Sequence, residues 1–543
     1  MFVFNKFKHK LKIKKMKTRL IVFFVCLIHV SIAQDSLVIK YSNTITREEL
    51  LYHLTILASD EYEGRDTGEK GQKMAAIYIS QEFANDMLTG PVSGRGNPYY
   101  QEFELARKSW EKINIGNSDV RLEYLKDFFV IGNLKPGNEA YEIIFAGYGI
   151  DEKNYSDYNN IDVKGKIVAV LMGEPRDEAG NYIITGTDKP SIPDDNNIQN
   201  KILQFQFKIQ LASEKGAAGI VIIEKDDATA NSMIQMVGPF LNRPQIGFPE
   251  NKKNETFGVI YTSPSQAVNL LGTKIRKFNK TIDTIGKKKK SAAGKFKGII
   301  KIEALQKIEK FTTENILGFV EGTDKKDEII VITAHYDHIG IMGGEVYNGA
   351  DDNGSGIVSV LEIAEAFIKA KEEGNGPRRS LLFMTVTAEE IGLFGSFYYS
   401  ENPVFPLEST VANLNIDMIG RIDLVHQGNP DYVYIIGSDM LSSELHKLSE
   451  KAAQIYTPSL QLDYTHNSID DPERWYFRSD QYNFAKHDIP VICYTTGEHE
   501  DYHKPADTVD KINFGKIEMI SRLIFATAWE LANREERIVV DKK

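Results

Sequence analysis

Histidines and carboxylates follow four apolar runs in the second half of this 543-residue chain. After "EIIVITA" come His335, Tyr336 and Asp337, and after "SLLFMTVTA" come Glu389 and Glu390. "VANLNI" leads into Asp417, and "IPVICYTTG" into "EHEDYHKPADT", which holds His499 and His503. Asp351 and Asp352 stand in "GADDNGSG", ahead of a long helical pattern. In an open α/β sheet, ligands bind beyond the carboxyl ends of the strands, so these side chains would share one rim. Imidazole with carboxylate, and no cysteine, suits zinc, with manganese or cobalt as less frequent occupants. Two histidines and three carboxylates exceed one catalytic zinc, which takes three protein ligands and a water. They suit two ions sharing a bridging carboxylate, roughly 3.5–4 Å apart.

Each piece also has a plain structural reading. A histidine at a strand end is commonly hydrogen-bonded in place, and an Asp before Gly-Ser-Gly commonly caps a helix. Adjacent glutamates are commonly a solvated pair, and "NID" could be a turn. Four such endings on one rim argue against independence. Glu389 and Glu390 also follow one of the most apolar strands, where unpaired carboxylates would be costly. "DDNGSG" falls close to the EF-hand calcium pattern, with Asp351, Asn353, Ser355, Gly356 and Glu362 in the liganding register. An EF-hand needs a helix on both sides of its loop. A strand and a Gly-rich excursion, "ITAHYDHIGIMGGEVYNGA", precede this one, so Glu362 is expected to be an ordinary helix position.

The elements that must position these residues alternate. From about residue 310, strand patterns ("EIIVITAH", "RRSLLFMTVTAEE", "VANLNIDMIG", "IPVICYTTG") are interleaved with helical ones. The helical patterns are "GSGIVSVLEIAEAFIKAKEEG", "LSSELHKLSEKAAQI" and "FGKIEMISRLIFATAWELANREE". Buried strands alternating with helices imply an α/β layered fold with a largely parallel sheet. Upstream, "ITREELLYHLTILAS" and "GQKMAAIYISQEFANDM" read as helices around a polar loop, "DEYEGRDTGEKG". Between 140 and 290, short apolar runs and turns suggest a strand-rich module. "ILQFQFKIQLASEKGA" is expected to be a helix leading into the strand "GIVIIE", and the lysine run 286–298 a solvated hairpin.

The N-terminus has a different texture. "KFKHKLKIKKMKTR", "LIVFFVCLIHV" and "SIAQ" have the three-part layout of a secretory signal, with cleavage after Ala33 and Met16 as a second candidate start. Residues 1–33 carry eight of the 65 bases and none of the 76 acids, so the chain beyond them has a formal charge of −19. Such a surface repels nucleic acid. Only Cys493 remains after cleavage, so no intrachain disulfide is expected. Export without disulfides points to the periplasm or exterior of a bacterium, with no stable membrane insertion once the signal is removed.

In their order, "AHYDH", "GADDNGSG", "TAEEIGLFGS", "NIDMIGR" and "DYHKPADT" resemble the M28 family of metallopeptidases, co-catalytic dizinc aminopeptidases and their relatives. The resemblance covers about residues 45–125 and 310–530. It implies a three-layer α/β hydrolase fold around a mostly parallel, mixed sheet, with peptides or proteins as substrates. Residues 130–295 look like the protease-associated (PA) domain that some members carry as an insert. The implied organisation is a signal at 1–33, peptidase segments at 34–129 and 296–543, and the insert between them. Carried over motif by motif, His335 and His503 resemble the ligands to the two zinc ions. Asp352 resembles the bridge, and Glu390 and Asp417 the remaining ligands. Glu389 looks like the general base that activates a metal-bridging water, and Asp337 like the acid that orients His335. Tyr502 could donate to the oxyanion.

Some histidines compete for these places. His499 and His503 are four apart, but in a loop rather than on a helix, and His338 lies beside the first ligand. Within the same family, carboxypeptidase or dipeptidase action is the alternative to aminopeptidase action. From another class, the rival is a catalytically dead peptide-binding protein. The filled ligand and base positions disfavour it.

Overall fold

The computed structural model describes residues 35–132, 134–193, 198–249 and 257–542. The expected leader and its cleavage site lie outside the described residues. The chain divides into two compact units. One takes the described residues through Phe103 and those from Thr312 onward; the other is Glu104–Phe311. This second unit is wider than the 130–295 expected for the insert. Both unit boundaries fall inside long strands, Tyr100–Gly116 and Lys297–Val320, which no turn signal interrupts.

In the first unit the strand order is Gln461–Asp463, Tyr432–Ile436, Val491–Thr495, Thr410–Ile416, Lys325–His335, Arg379–Val386 and then the end of Lys297–Val320. The four central strands, from Val491–Thr495 to Arg379–Val386, pair in parallel. Their neighbours Tyr432–Ile436 and Ile316–Val320 pair antiparallel to them, which makes the sheet mixed. Arg379–Val386 and Thr410–Ile416 are buried at every residue, as expected where helices cover both faces. Along Lys325–His335 the side chains divide by parity. Ile330, Ile332 and Ala334 join a core packed by helices Arg47–Leu57, Lys70–Asn85, Gly356–Glu372, Ser443–Tyr456 and Phe514–Asn533. Ile329 and Val331 join the opposite core, with Tyr399 and Phe484 from the short helices Phe394–Glu401 and Gln481–Ala485. The result is the expected three-layer α/β architecture.

In the second unit, the sheet pairs Gly137–Phe145, Ile167–Leu171, Gly219–Ile223 and Gly258–Thr262 in parallel, with Phe128–Ile131 and the start of Lys297–Val320 running antiparallel on either side. Separate apolar clusters cover its two faces. This unit is less purely strand-rich than its sequence suggests, because its described residues include four helices, among them the expected one at Ile198–Glu214. The lysine run is not a hairpin. Lys287 and Lys288 form the last turn of helix Ile275–Lys288, where cations complement the carbonyl end of the helix. That helix buries Phe278, Thr281 and Ile285, and its lysine-rich end hides an apolar stripe at helical spacing.

The N-terminal "DEYEGRD" is not a simple polar loop. Residues Asp60–Arg65 form a short helical turn, and Arg65 is fully buried. Its guanidinium donates to four main-chain carbonyls: Leu57 (2.8 Å), Tyr336 (2.9 Å), Asn348 (2.7 Å) and Gly349 (2.9 Å). Burial lowers its pKa to about 10, which leaves it charged at neutral pH. One side chain thus ties the N-terminal segment to the segments that follow His335 and precede Asp351. Arg65→Met would take a buried donor from each of these four carbonyls. It is expected to cost about 3–5 kcal/mol, read as a lowered denaturant midpoint at unchanged slope.

Candidate metal centre

Parallel pairing of the central strands places their carboxyl ends side by side. His335 closes its strand opposite Val386, and Ile416 lies opposite Tyr494, so the residues that follow them converge. His335 Nε2 lies 3.4 Å from Asp352 Oδ1, 3.4 Å from Asp417 Oδ1 and 3.9 Å from Glu389 Oε2. His503 Nε2 lies 3.1 Å from both Asp352 Oδ2 and Glu390 Oε2. Asp352 therefore presents one oxygen to the His335–Asp417 group and the other to the His503–Glu390 group. All six of these side chains line one cavity with Tyr502, Arg478 and Trp475.

The donor set fits metal ions. His503 Nε2 is close to two carboxylate oxygens yet has hydrogen-bond geometry to neither, as expected of an atom facing a shared cation. Asp352, Glu389, Glu390 and Asp417 are all at least four-fifths buried as side chains. Burial disfavours the charged form of His335, yet Glu389, Asp417 and Asp352 around it hold its pKa well above the ordinary value. Burial, reinforced by Asp417, Asp480 and Glu390, pushes the Glu389 carboxyl well up. The Glu390 carboxyl overcomes its burial and is held low by His338 and His503. The two adjacent glutamates thus stand in opposite electrostatic settings, Glu390 held low by cationic neighbours and Glu389 pushed up by burial and neighbouring carboxylates.

Asp337 sits beside His335, but not as a simple carboxylate–imidazole pair. His335 Nδ1 is 3.1 Å from the Asp337 main-chain oxygen and 3.9 Å from its carboxylate. The carboxylate instead accepts from the Glu389 main-chain N–H (3.1 Å) and from Thr67 Oγ1 (3.0 Å). It fixes the loop that carries Glu389, while its carbonyl orients the imidazole. Tyr502 stacks on His503 with ring centroids 3.9 Å apart, and burial raises the pKa of its hydroxyl.

The competing residues separate in space. His499 is turned away, with Nε2 3.5 Å from Asp351 Oδ2, and burial lowers its pKa to about 4. Asp351 accepts from the Gly420 amide and lies outside the cavity. His338, three residues after His335 in the sequence, lies with the other histidine group in space. It competes with His503 rather than His335, at 2.6 Å from Glu390 Oε1 and 3.7 Å from Asp352 Oδ2. Sequence reasoning missed the residues that hold the Asp352 loop. Asp507 accepts from the amides of Asp351 (3.0 Å) and Asp352 (3.1 Å). Asn353 donates to the Ile416 carbonyl and accepts from the amides of Gly356 and Met418. Asp507 lies in the quoted "DYHKPADT", but only its contacts show what it does.

Residues 315–528 match the family model for Peptidase family M28. The chain is 26% identical over 324 residues to Aminopeptidase YwaD of Bacillus subtilis (strain 168), covering 56% of this chain and 64% of that protein. It is 27% identical over 267 residues to Leucine aminopeptidase 2 of Arthroderma otae, covering 45% of this chain and 50% of that protein. Both matches span less than two thirds of the relative's own length. Among solved structures, the aminopeptidase from Aneurinibacillus sp. strain AM-1 superposes with a TM-score of 0.53 at 17% identity, over 92% of this chain and 97% of that one. That likeness shows a shared fold.

Asp352→Asn is expected to lower zinc content measured by elemental analysis, and Asp351→Asn to leave it within error. His503→Ala is expected to lose more zinc than His338→Ala. The reverse order would make His338 the ligand.

Proposed function

The chain belongs to peptidase family M28 through residues 315–528, and on that premise we propose that it is an exported dizinc aminopeptidase. The observation that carries this reading is Asp352, whose two oxygens face the two histidine groups separately. His335 and Asp417 would hold one ion, and His503 and Glu390 the other. Asp352 would serve both. The ions, when bound, supply Lewis acidity to the scissile carbonyl and lower the pKa of water in the site.

The remaining work falls to the chain's own groups. Glu389 lies within the same cavity but is not needed in either ligand set. It is the general base: it takes a proton from the attacking water and delivers it to the departing amine. Asp337 keeps Glu389 in place through the Glu389 main-chain N–H. The Tyr502 hydroxyl, kept protonated by burial, is a hydrogen-bond donor for the oxyanion. The carboxylates on the cavity wall suit the α-ammonium of a substrate N-terminus.

A second reading, carboxypeptidase or dipeptidase action, is favoured by one observation. Arg478 lines the same cavity and could take a substrate carboxylate, although it is paired with Glu498. Residues 1–33 support export by their signal-like pattern, and no described helix is long and apolar enough to cross a membrane. A PA-like insert at 130–295 is supported by the separate cores of the second unit.

The purified chain without residues 1–33 is expected to release amino acids from aminoacyl-p-nitroanilides, to lose this activity to a chelator and to regain it with zinc. Glu389→Gln is expected to lower kcat by about 10²–10⁴-fold while retaining metal. Equal rates for this variant and wild type across a peptide library would refute the mechanism. Free peptides should be cleaved and N-acetylated ones spared; the opposite preference would favour the carboxypeptidase reading.

A further inference from the structure

A second group of ligand-type side chains gathers among three helices of the first unit. Glu49 and His53 lie on Arg47–Leu57, Tyr78 on Lys70–Asn85, and Glu362 and Glu365 on Gly356–Glu372. Carboxylate oxygens of Glu49, Glu362 and Glu365 lie within 4.8 Å of one another. Glu362, expected from sequence to be an ordinary helix position, is only 2% exposed. Its Oε1 faces His53 Nε2 at 3.6 Å, and its Oε2 is buried with no hydrogen-bond partner. An orphaned carboxylate oxygen inside a group of other carboxylates is costly unless a cation or a proton meets it.

The imidazole is arranged as a ligand would be. His53 Nδ1 lies 2.6 Å from the Tyr78 hydroxyl. In the tautomer that donates this hydrogen bond, the Nε2 lone pair points toward Glu362, the arrangement usual behind metal-bound histidines. Burial lowers the His53 pKa, which keeps the ring neutral and able to ligate. Two donors about 2.1 Å from one tetrahedral ion stand about 3.4 Å apart, close to the observed separation of His53 Nε2 and Glu362 Oε1. Charge balance points the same way. Lys369 supplies one positive charge, 2.7 Å from Glu365 Oε1. Against it stand Glu49, Glu362 and Glu365, with Glu82 and Asp86 close enough to interact. Without a cation the group must hold protons; burial and the neighbouring Glu49 and Glu365 push the Glu362 carboxyl up to about 9.

We propose that Glu49, Glu362 and Glu365, with His53 beside Glu362, bind an additional divalent cation of the zinc class, separate from the rim site of His335 and His503. The ion would clamp Arg47–Leu57 to Gly356–Glu372, whose first turn follows the Asp352 loop. The test is zinc stoichiometry. Full chains without residues 1–33 are stripped with chelator, dialysed against zinc and analysed for metal per chain: wild type, Glu362→Gln, and the doubly substituted Glu49→Gln/Glu365→Gln. Wild type is expected to retain one zinc equivalent more than either variant, and both variants to keep their aminopeptidase rate in saturating zinc. Because the readout is a difference, it stands whatever the rim site binds, and failure of the peptidase reading would leave it intact. Equal zinc content in all three chains overturns the proposal. Should Glu362→Gln not fold, the double variant, at partly exposed positions, decides alone.

Discussion

The structure is organised around a crowd of like charges. Four carboxylates from three different segments meet within one buried pocket, and three imidazoles stand among them. Such a group repels itself and prefers water, so it must be held by something stronger than its own contacts. The loops that carry it are held accordingly, by hydrogen bonds between side chains and main chain. Asp507 holds the amides of Asp351 and Asp352, Asn353 holds the turn after Ile416, and Asp337 holds the amide of Glu389. Each of these anchors is buried. The ligand side chains are thereby fixed before any cation arrives, which is how preorganised sites avoid reorganisation cost.

Beneath the pocket, polar side chains run through the sheet itself. Thr333 donates to Asn415 (2.6 Å), and Asn413 donates to Thr333 (2.9 Å), linking Lys325–His335 to Thr410–Ile416. Asn415 donates in turn to Ser479 and Gln481 at 3.0 Å each. A one-residue slip would turn every side chain to the other face and leave these groups unpaired in the core. The network therefore locks the relative register of two strands whose ends carry His335 and Asp417.

Much of this was legible in the sequence. The alternation of apolar strands and amphipathic helices gave the layered architecture, and the position of each His, Asp and Glu just past a strand gave the rim. Ligand-type residues at strand ends are visible because strand and ligand are adjacent in sequence. The anchors were not, because their partners are remote: Asp507 acts 155 residues away and Arg65 more than 280. A short polar loop and a buried cation read alike as letters. The lysine run failed for a related reason: charge at a helix end masked the stripe of Phe278 and Ile285. Glu362 stands on the expected helix, but its burial depends on what two other helices bring to it.

One small contact bears on how so large a chain is built. Asn315 Nδ2 donates to Gln101 Oε1 at 3.0 Å and to the Gly395 carbonyl at 2.9 Å, and its Oδ1 accepts from the Thr387 amide. Gln101 and Asn315 flank the two ends of the Glu104–Phe311 unit. Some 200 residues thus leave and re-enter the first unit through a closed stem, pinned against the loop that carries Glu389. For the first unit the whole excursion has the entropy of a loop whose ends already meet, and that cost grows only with the logarithm of its length. The stem is a socket: evolution could lengthen, exchange or discard what hangs from it without moving the residues that do the chemistry.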